Sequence, residues 1–127
     1  MFSHVMLGAN DVDASKGFYD ATLGAIGAAP GRVDAKGRVL YAHGGGLLML
    51  GKPIDGEPAC HANGGTVGFL ADSSEAVDAW HAAGLAHGGT AIEDPPGVRA
   101  GSFGPLYLAY LRDPAGNKLC AIHRLPA

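Results

Sequence analysis

Charge is scarce in this chain. Asp, Glu, Lys and Arg make up 17% of the 127 residues, nine basic against twelve acidic, for a net charge of −3. Lys and Arg cluster nowhere, and a nucleic-acid partner needs a cationic face, so that class of partner is excluded. Long apolar runs are missing as well. A membrane span takes about 20 consecutive apolar residues. The longest uncharged stretch, Val39 to Gly51, is interrupted by His43 and three glycines. The opening residues, MFSHVMLGAND, hold no basic segment and meet an acid at Asp11, which is not the pattern of a secretory signal. Only two cysteines occur, Cys60 and Cys120, and without an export signal both are expected as free thiols. Together these absences predict a soluble, cytoplasmic protein.

What is abundant is glycine, at 21 residues, alongside 8 prolines. Such a content approaches the range of disordered chains. The hydrophobic fraction of 47% argues the other way, because enough surface can be buried to offset chain entropy. One domain is expected, near the lower end of what a single core supports unaided.

Phe2 to Gly8 is apolar and strand-like. Asp11 is a good helix N-cap, Asp13 suits the first turn, and Val12, Phe18, Tyr19, Leu23 and Ile26 recur at helical spacing. The helix is expected to end in the glycine-rich run Leu23 to Gly27. Arg38 to His43 and Leu47 to Gly51 then form a hairpin across Gly44-Gly45-Gly46. Lys52 to Gly65, with its prolines and glycines, is expected as a linker. The pattern then restarts. Thr66 to Ala71 is a strand, and Ser73 caps a helix through Val77, Trp80, His81 and Leu85. Thr90 to Glu93 is a short strand, and Asp94 to Gly104 a loop. Leu106 to Arg112 and Lys118 to His123 close with a hairpin turned by Asp113-Pro114-Ala115-Gly116-Asn117.

The two halves align without gaps at an offset of 62 residues. His4 meets Thr66, Leu7 meets Phe69, Ala14 meets Ala76, Phe18 meets Trp80, Leu23 meets Leu85 and Gly27 meets Gly89. The ordered strand–helix–glycine register indicates an internally duplicated βαβββ unit. The units are assigned to residues 1–52 and 64–124, joined by a linker over 53–63.

A doubled βαβββ unit of this length resembles the vicinal oxygen chelate superfamily, which includes glyoxalase I, extradiol dioxygenases and the fosfomycin- and bleomycin-resistance proteins. The residues that carry the likeness are His4-Val5, Asp11 through Phe18-Tyr19, and Thr66-Val67-Gly68-Phe69. They continue with Ala76 to His81 and the DPxGN-like turn at 113–117. The resemblance implies an α+β fold whose tandem modules form a U-shaped, partly closed mixed sheet around a cavity, in a chain that pairs as a homodimer. It also implies a divalent metal chelated by first-strand and last-strand residues, acting as a Lewis acid on two neighbouring substrate oxygens.

Carried over position by position, those ligands fall at His4, Thr66, Cys120 and near Leu48. Only His4 is an ordinary ligand, so the metal site is expected to be degenerate, with His4 and Cys120 as the remaining candidate pair and no cofactor assigned. His61 lies in the linker five residues before Thr66, and His123 is set aside because residues three apart on a strand face opposite ways. In the bland alternative His4 lines a pocket and Cys120 is a small buried hydrophobe.

Other candidates carry less. Gly46 to Lys52 nearly spells a phosphate-binding loop, but its middle is an apolar strand and Pro53 replaces the hydroxyl residue that would hold magnesium. Trp80, His81 and His87 are expected in structural roles on the second helix. No strand–turn–helix nucleophile motif occurs around Ser102. The loop Gly97 to Tyr107 borders the cavity by resemblance. There Arg99 can pair with an anionic group, and Phe103 or Tyr107 can stack on a ring. The expectation is a protein that binds a small organic molecule through His4, Thr66, Arg99, Phe103, Tyr107 and Cys120. If it keeps chemistry, His4 is its candidate catalytic residue. The alternatives are a metal-dependent lyase or dioxygenase with a non-standard ligand set around His4, and a drug-sequestering resistance protein without catalysis.

Overall fold

The computed structural model describes residues 1–126. In chain order they form β1 (Val5–Gly8), α1 (Val12–Ala25), β2 (Arg32–Val33), β3 (Val39–His43), β4 (Gly46–Gly51) and β5 (Val67–Leu70). These are followed by α2 (Ser74–Ala86), β6 (Thr90–Ala91), β7 (Gly97–Gly101), β8 (Gly104–Arg112) and β9 (Lys118–Arg124). The fold is mixed α+β with two sheets. One has the order β1-β4-β3-β2. The other has the order β5-β9-β8-β6, with β7 also paired to β8.

Both helices start where their capping side chains dictate. Asp11 Oδ1 accepts the Ala14 N–H at 3.0 Å, and Ser73 Oγ accepts the Ala76 N–H at 3.1 Å, each satisfying a donor that has no partner within the helix. Asp13 and Glu75 add favourable charge in the first turns. The β3–β4 hairpin turns on Gly44 and Gly45, at φ +56° and +83°. Two consecutive positive values are what a two-residue turn needs to match strand twist.

The 62-residue offset recurs in the elements, since β1 and β5 start at Val5 and Val67, and α1 and α2 at Val12 and Ser74. The strand registers extend the correspondence. Val5 is opposite Leu48 and Leu48 opposite Tyr41, while Val67 is opposite Leu119 and Leu119 opposite Leu111. Leu48 is thus the counterpart of Leu119, Met49 of Cys120, His43 of Asp113 and Gly46 of Asn117.

Four elements differ from the sequence reading, the first being β2, a two-residue strand paired to β3 where none was expected. The stretch read as a loop from Asp94 to Gly104 contains β7, which pairs along β8 from Gly97–Leu108 to Gly101–Gly104. Its glycine-rich residues hid the strand pattern, and the second half carries one strand more than a βαβββ unit. The first strand begins at Val5 rather than Phe2. The strand read as Thr90 to Glu93 stops at Ala91, and Glu93 turns the chain with φ +57°.

One continuous core lies between the helices and the sheets. Phe18, Tyr19 and Leu23 from α1 meet Val77 and Trp80 from α2, over Val39, Tyr41, Leu48, Leu50, Ala109, Leu111, Leu119 and Ala121. Phe18 and Trp80, counterparts by the repeat, are both fully buried, each worth about 2–3 kcal/mol in removed apolar surface. The helices pack closely because Gly84 has no side chain. A Cβ there would stand 2.3 Å from Leu111 Cδ1 and 3.2 Å from Phe18 Cε1.

Candidate functional site

Among the described residues β1 pairs only with β4, and β5 only with β9, so each of these two strands is an edge of its sheet. Between these edges opens a cleft of about 550 Å³. Ser3, His4 and Val5 form one wall and Val67 to Leu70 the other. The Gly44–Gly46 turn bounds one end, and Leu23, Ile26, Tyr41 and Leu48 contribute from the core side. Polar groups are few and stand around the cleft. They include the imidazoles of His4 and His43 and the carboxylate of Asp72, the only Asp, Glu, Lys or Arg in the lining. An apolar interior with a few convergent polar groups is the usual form of a small-molecule site.

Tyr41 lines the cleft with its ring while its hydroxyl is occupied elsewhere. It donates to Asp20 Oδ1 at 2.7 Å, and burial together with that carboxylate raises the phenol above its ordinary range. Burial alone would raise Asp20, but Lys16 Nζ, the Gly31 N–H and the Tyr41 hydroxyl all bond it and hold its carboxyl below the usual value. Tyr41 is therefore a fixed apolar wall rather than a proton donor to the cleft.

The predicted site residues do not all converge here. Of the six, only His4 lines the cleft, with its Nδ1 2.7 Å from Ser3 Oγ. Thr66 is exposed just ahead of β5. Cys120 is buried on β9 opposite Gly68 and Tyr110. Burial, then the nearby charge of Glu93, pushes its thiol up to about 11, only partly opposed by a hydrogen bond with Tyr110 and by Lys118. Lys118 is ion-paired with Glu93 and sits 4.9 Å over the Tyr110 ring. Arg99 Nη2 donates to the Pro95 carbonyl at 2.8 Å, and Phe103 is fully exposed on the β7–β8 turn. Tyr107 is held toward α2, where its hydroxyl donates to Asp78 Oδ1 at 2.7 Å.

Two further histidines have structural partners, and His61 is exposed between β4 and β5. His87 Nδ1 lies 2.9 Å from the Ala83 carbonyl at the end of α2, and His123 Nδ1 lies 3.1 Å from the Ala71 carbonyl. His81 is half-buried, and burial lowers its pKa. The cleft residues that sequence reasoning missed are Tyr41, His43, Asp72 and Phe69. The available signal was the short Gly44–Gly46 turn, which leaves this end of the seam open.

A chain 56% identical, from Albidiferax ferrireducens and described as a glyoxalase/bleomycin resistance protein, superimposes with a TM-score of 0.94, covering 98% of this chain and 99% of that one. The family model for the Glyoxalase/Bleomycin resistance protein/Dioxygenase superfamily matches residues 1–121. The chain belongs to this superfamily. The fold is shared more widely among its members. A lactoylglutathione lyase from Agrobacterium tumefaciens is 25% identical with a TM-score of 0.66, covering 97% of this chain and 92% of that one. A glyoxalase-related enzyme from Fulvimarina pelagi is 18% identical with a TM-score of 0.72, covering 98% and 88%. None of the curated proteins matches this chain. Among the described residues no helix is long and apolar enough to cross a membrane.

A metal of the kind this superfamily implies does not fit the donors present. Leu48 is buried in the core, and the residue in register with Cys120's place in the other sheet is Met49. Neither Leu nor Met offers the oxygen or nitrogen donor such a site draws on. Burial holds the Cys120 thiol above its ordinary range, which disfavours the thiolate that a metal binds. Among the described residues no three His, Cys, Asp or Glu side chains gather into a group that could hold a metal ion.

Proposed function

We propose that this superfamily member binds a small, largely apolar organic molecule in the cleft between its two sheets, without relying on the superfamily's metal chemistry. The observation that carries the reading is the cleft itself: about 550 Å³, apolar inside, with His4, His43 and Asp72 as its few orienting groups. Volumes of this order suit a molecule the size of one or two fused rings with substituents. His4 is the candidate orienting or catalytic group, since it alone of the predicted residues faces this space. The reading includes a chain paired in solution, as the apolar residues exposed outside the cleft on the first sheet, Met6 and Val33, favour. Sedimentation of the purified protein reads that part.

The deciding experiment titrates isotope-labelled protein with indole and follows the backbone amide signals. Shifts are expected at Leu48, Val67 and Phe69 and not at Tyr110 or Cys120. Shifts confined to the β8–β9 face, or none at any concentration, overturn the reading. A parallel titration with zinc, nickel and manganese is expected to leave indole binding unchanged. Stoichiometric metal that is lost in His4→Ala supports instead the lyase or dioxygenase reading around His4.

A further inference from the structure

The seam between the sheets has two ends that are equivalent by the internal repeat, and only one of them is closed. At the closed end the Ala9 N–H donates to Gly51 O at 2.9 Å, toward β4. In a trans peptide the carbonyl points opposite to the N–H, so the Gly8 carbonyl is turned out to the free edge. It is met there by Asn117, whose Nδ2 donates to Gly8 O at 3.0 Å and to Asp113 Oδ2 at 2.9 Å. The other half builds the same arrangement. The Ala71 N–H donates to Ile122 O at 2.8 Å, toward β9, so the Leu70 carbonyl is turned out to the free edge of β5. Leu70 is the counterpart of Gly8, and its carbonyl takes no hydrogen bond from the other described residues. The reason lies in the sequence of the turn, because Gly46 stands where Asn117 stands and His43 where Asp113 stands. Gly46, Leu70 and Asp72 all line the open cleft. Leu70 is exposed at this edge, so its outward carbonyl is an acceptor open to a ligand, and Asp72 in the same lining disfavours an anion.

We propose that the molecule held in this cleft presents an N–H donor, an amide or an amine, to the Leu70 carbonyl and the Asp72 carboxylate, filling the place that the Asn117 amide fills at Gly8. This rests on the reading of the cleft as a ligand site and adds the chemical class of the ligand. Its apolar body lies against Leu48 and Phe69. A carboxylate or a purely hydrocarbon molecule of the same shape makes no hydrogen bond to the outward carbonyl.

The test compares benzamide with acetophenone, which have nearly the same shape but differ in whether an NH₂ or a methyl group is presented. Benzamide is expected to bind about tenfold tighter, the worth of one well-placed hydrogen bond, and to move the carbonyl chemical shift of Leu70. A Gly46→Asn variant supplies the missing amide from within the chain. A Cβ at Gly46 meets only the His43 carbonyl oxygen, at an ordinary 3.6 Å, so the side chain has room. That variant is expected to lose the preference for benzamide and to shift the Leu70 carbonyl in the absence of probe. If both probes bind with equal strength and move Leu48 and Phe69 but not the Leu70 carbonyl, the donor proposal is overturned while the ligand cleft stands. If neither probe nor indole binds, both fall together. The wild-type Leu70 carbonyl shift keeps the comparison decisive even where Gly46→Asn fails to fold.

Discussion

The phenol of Tyr19 on the first helix donates a 2.6 Å hydrogen bond to the carboxylate of Asp113, ninety-four residues further along the chain. Asp113 Oδ1 also accepts the N–H groups of Ala115 and Asn117, at 3.0 and 2.9 Å. One buried carboxylate thus shapes the β8–β9 turn and ties it to the helix of the other repeat. Tyr19→Phe removes the hydrogen bond from Asp113 to α1 while keeping the ring in the core. A hydrogen bond to a charged group is worth about 1.5–3 kcal/mol, and urea unfolding is expected to show a loss in that range with an unchanged slope.

The same bond has a signature in pH. Burial first, then the charge and hydrogen bond of Asp113, raise the Tyr19 phenol well above its ordinary value of 10.0. The folded state therefore resists losing a proton that the unfolded chain gives up near pH 10. Stability from this group is fully present below pH 10 and falls as the pH rises beyond it. Tyr19→Phe is expected to flatten the alkaline decline measured by denaturant unfolding at pH 9, 10 and 11. An unchanged decline would assign it to the other groups raised in the fold, Tyr41, Tyr107, Tyr110 and Cys120.

Close helix packing makes Gly84 the position where a favourable local change turns unfavourable. Alanine in a helix interior gains about 1 kcal/mol over glycine. The added Cβ would meet Leu111 Cδ1 at 2.3 Å, Phe18 Cε1 at 3.2 Å and Thr22 Cγ2 at 3.3 Å, and all three residues are fully buried. Overpacking of this kind costs about 1–3 kcal/mol. Gly84→Ala is expected to lower the melting temperature despite its better propensity. Gly24→Ala, where a Cβ meets nothing within 4 Å, is expected to raise it slightly.

The two thiols are expected to differ sharply in reactivity. Cys60 is exposed, and Cys120 is buried with its thiol pushed up to about 11. The thiolate is the reactive form. Iodoacetamide at pH 7.5, followed by mass spectrometry of peptides, is expected to label Cys60 alone in the folded protein and both residues in urea. Rapid labelling of Cys120 in the folded state would contradict the burial described for β9.

Much of this architecture is written in local chemistry. Asp11 and Ser73 announce their helices because a capping side chain acts within three residues. The Gly44-Gly45 turn declares its hairpin because few residues tolerate its backbone. The 62-residue offset exposes the repeat because Phe18 and Trp80 fill equivalent places in one core. The candidate site was less visible for two physical reasons. Strand parity decides which of Leu48 and Met49 meets the core, and a shift of one residue exchanges them. The cleft arises from a long-range relation, the absence at Gly46 of an amide that Asn117 supplies at the other end. No local pattern around His43 or Asp72 signals that relation. Strand β7 was hidden for the first kind of reason, since its glycines blank out the alternation that marks a strand.

Asn117→Ala carries the comparison of the two ends furthest. The variant loses the bonds to Gly8 O and Asp113 Oδ2 and opens the closed end of the seam. Leaving the Gly8 carbonyl and the buried Asp113 carboxylate each short of a donor costs about 1–3 kcal/mol, measured by urea unfolding. The Gly8 carbonyl becomes the equivalent of the Leu70 carbonyl, exposed along a free strand edge. Its chemical shift is expected to move toward that of a solvated carbonyl in the variant and to respond to benzamide. The Leu70 signal is expected to be unaffected by the substitution, because it lies at the opposite end of the seam. A Leu70 carbonyl that moves with Asn117→Ala would show that the two ends are coupled through the shared core rather than independent.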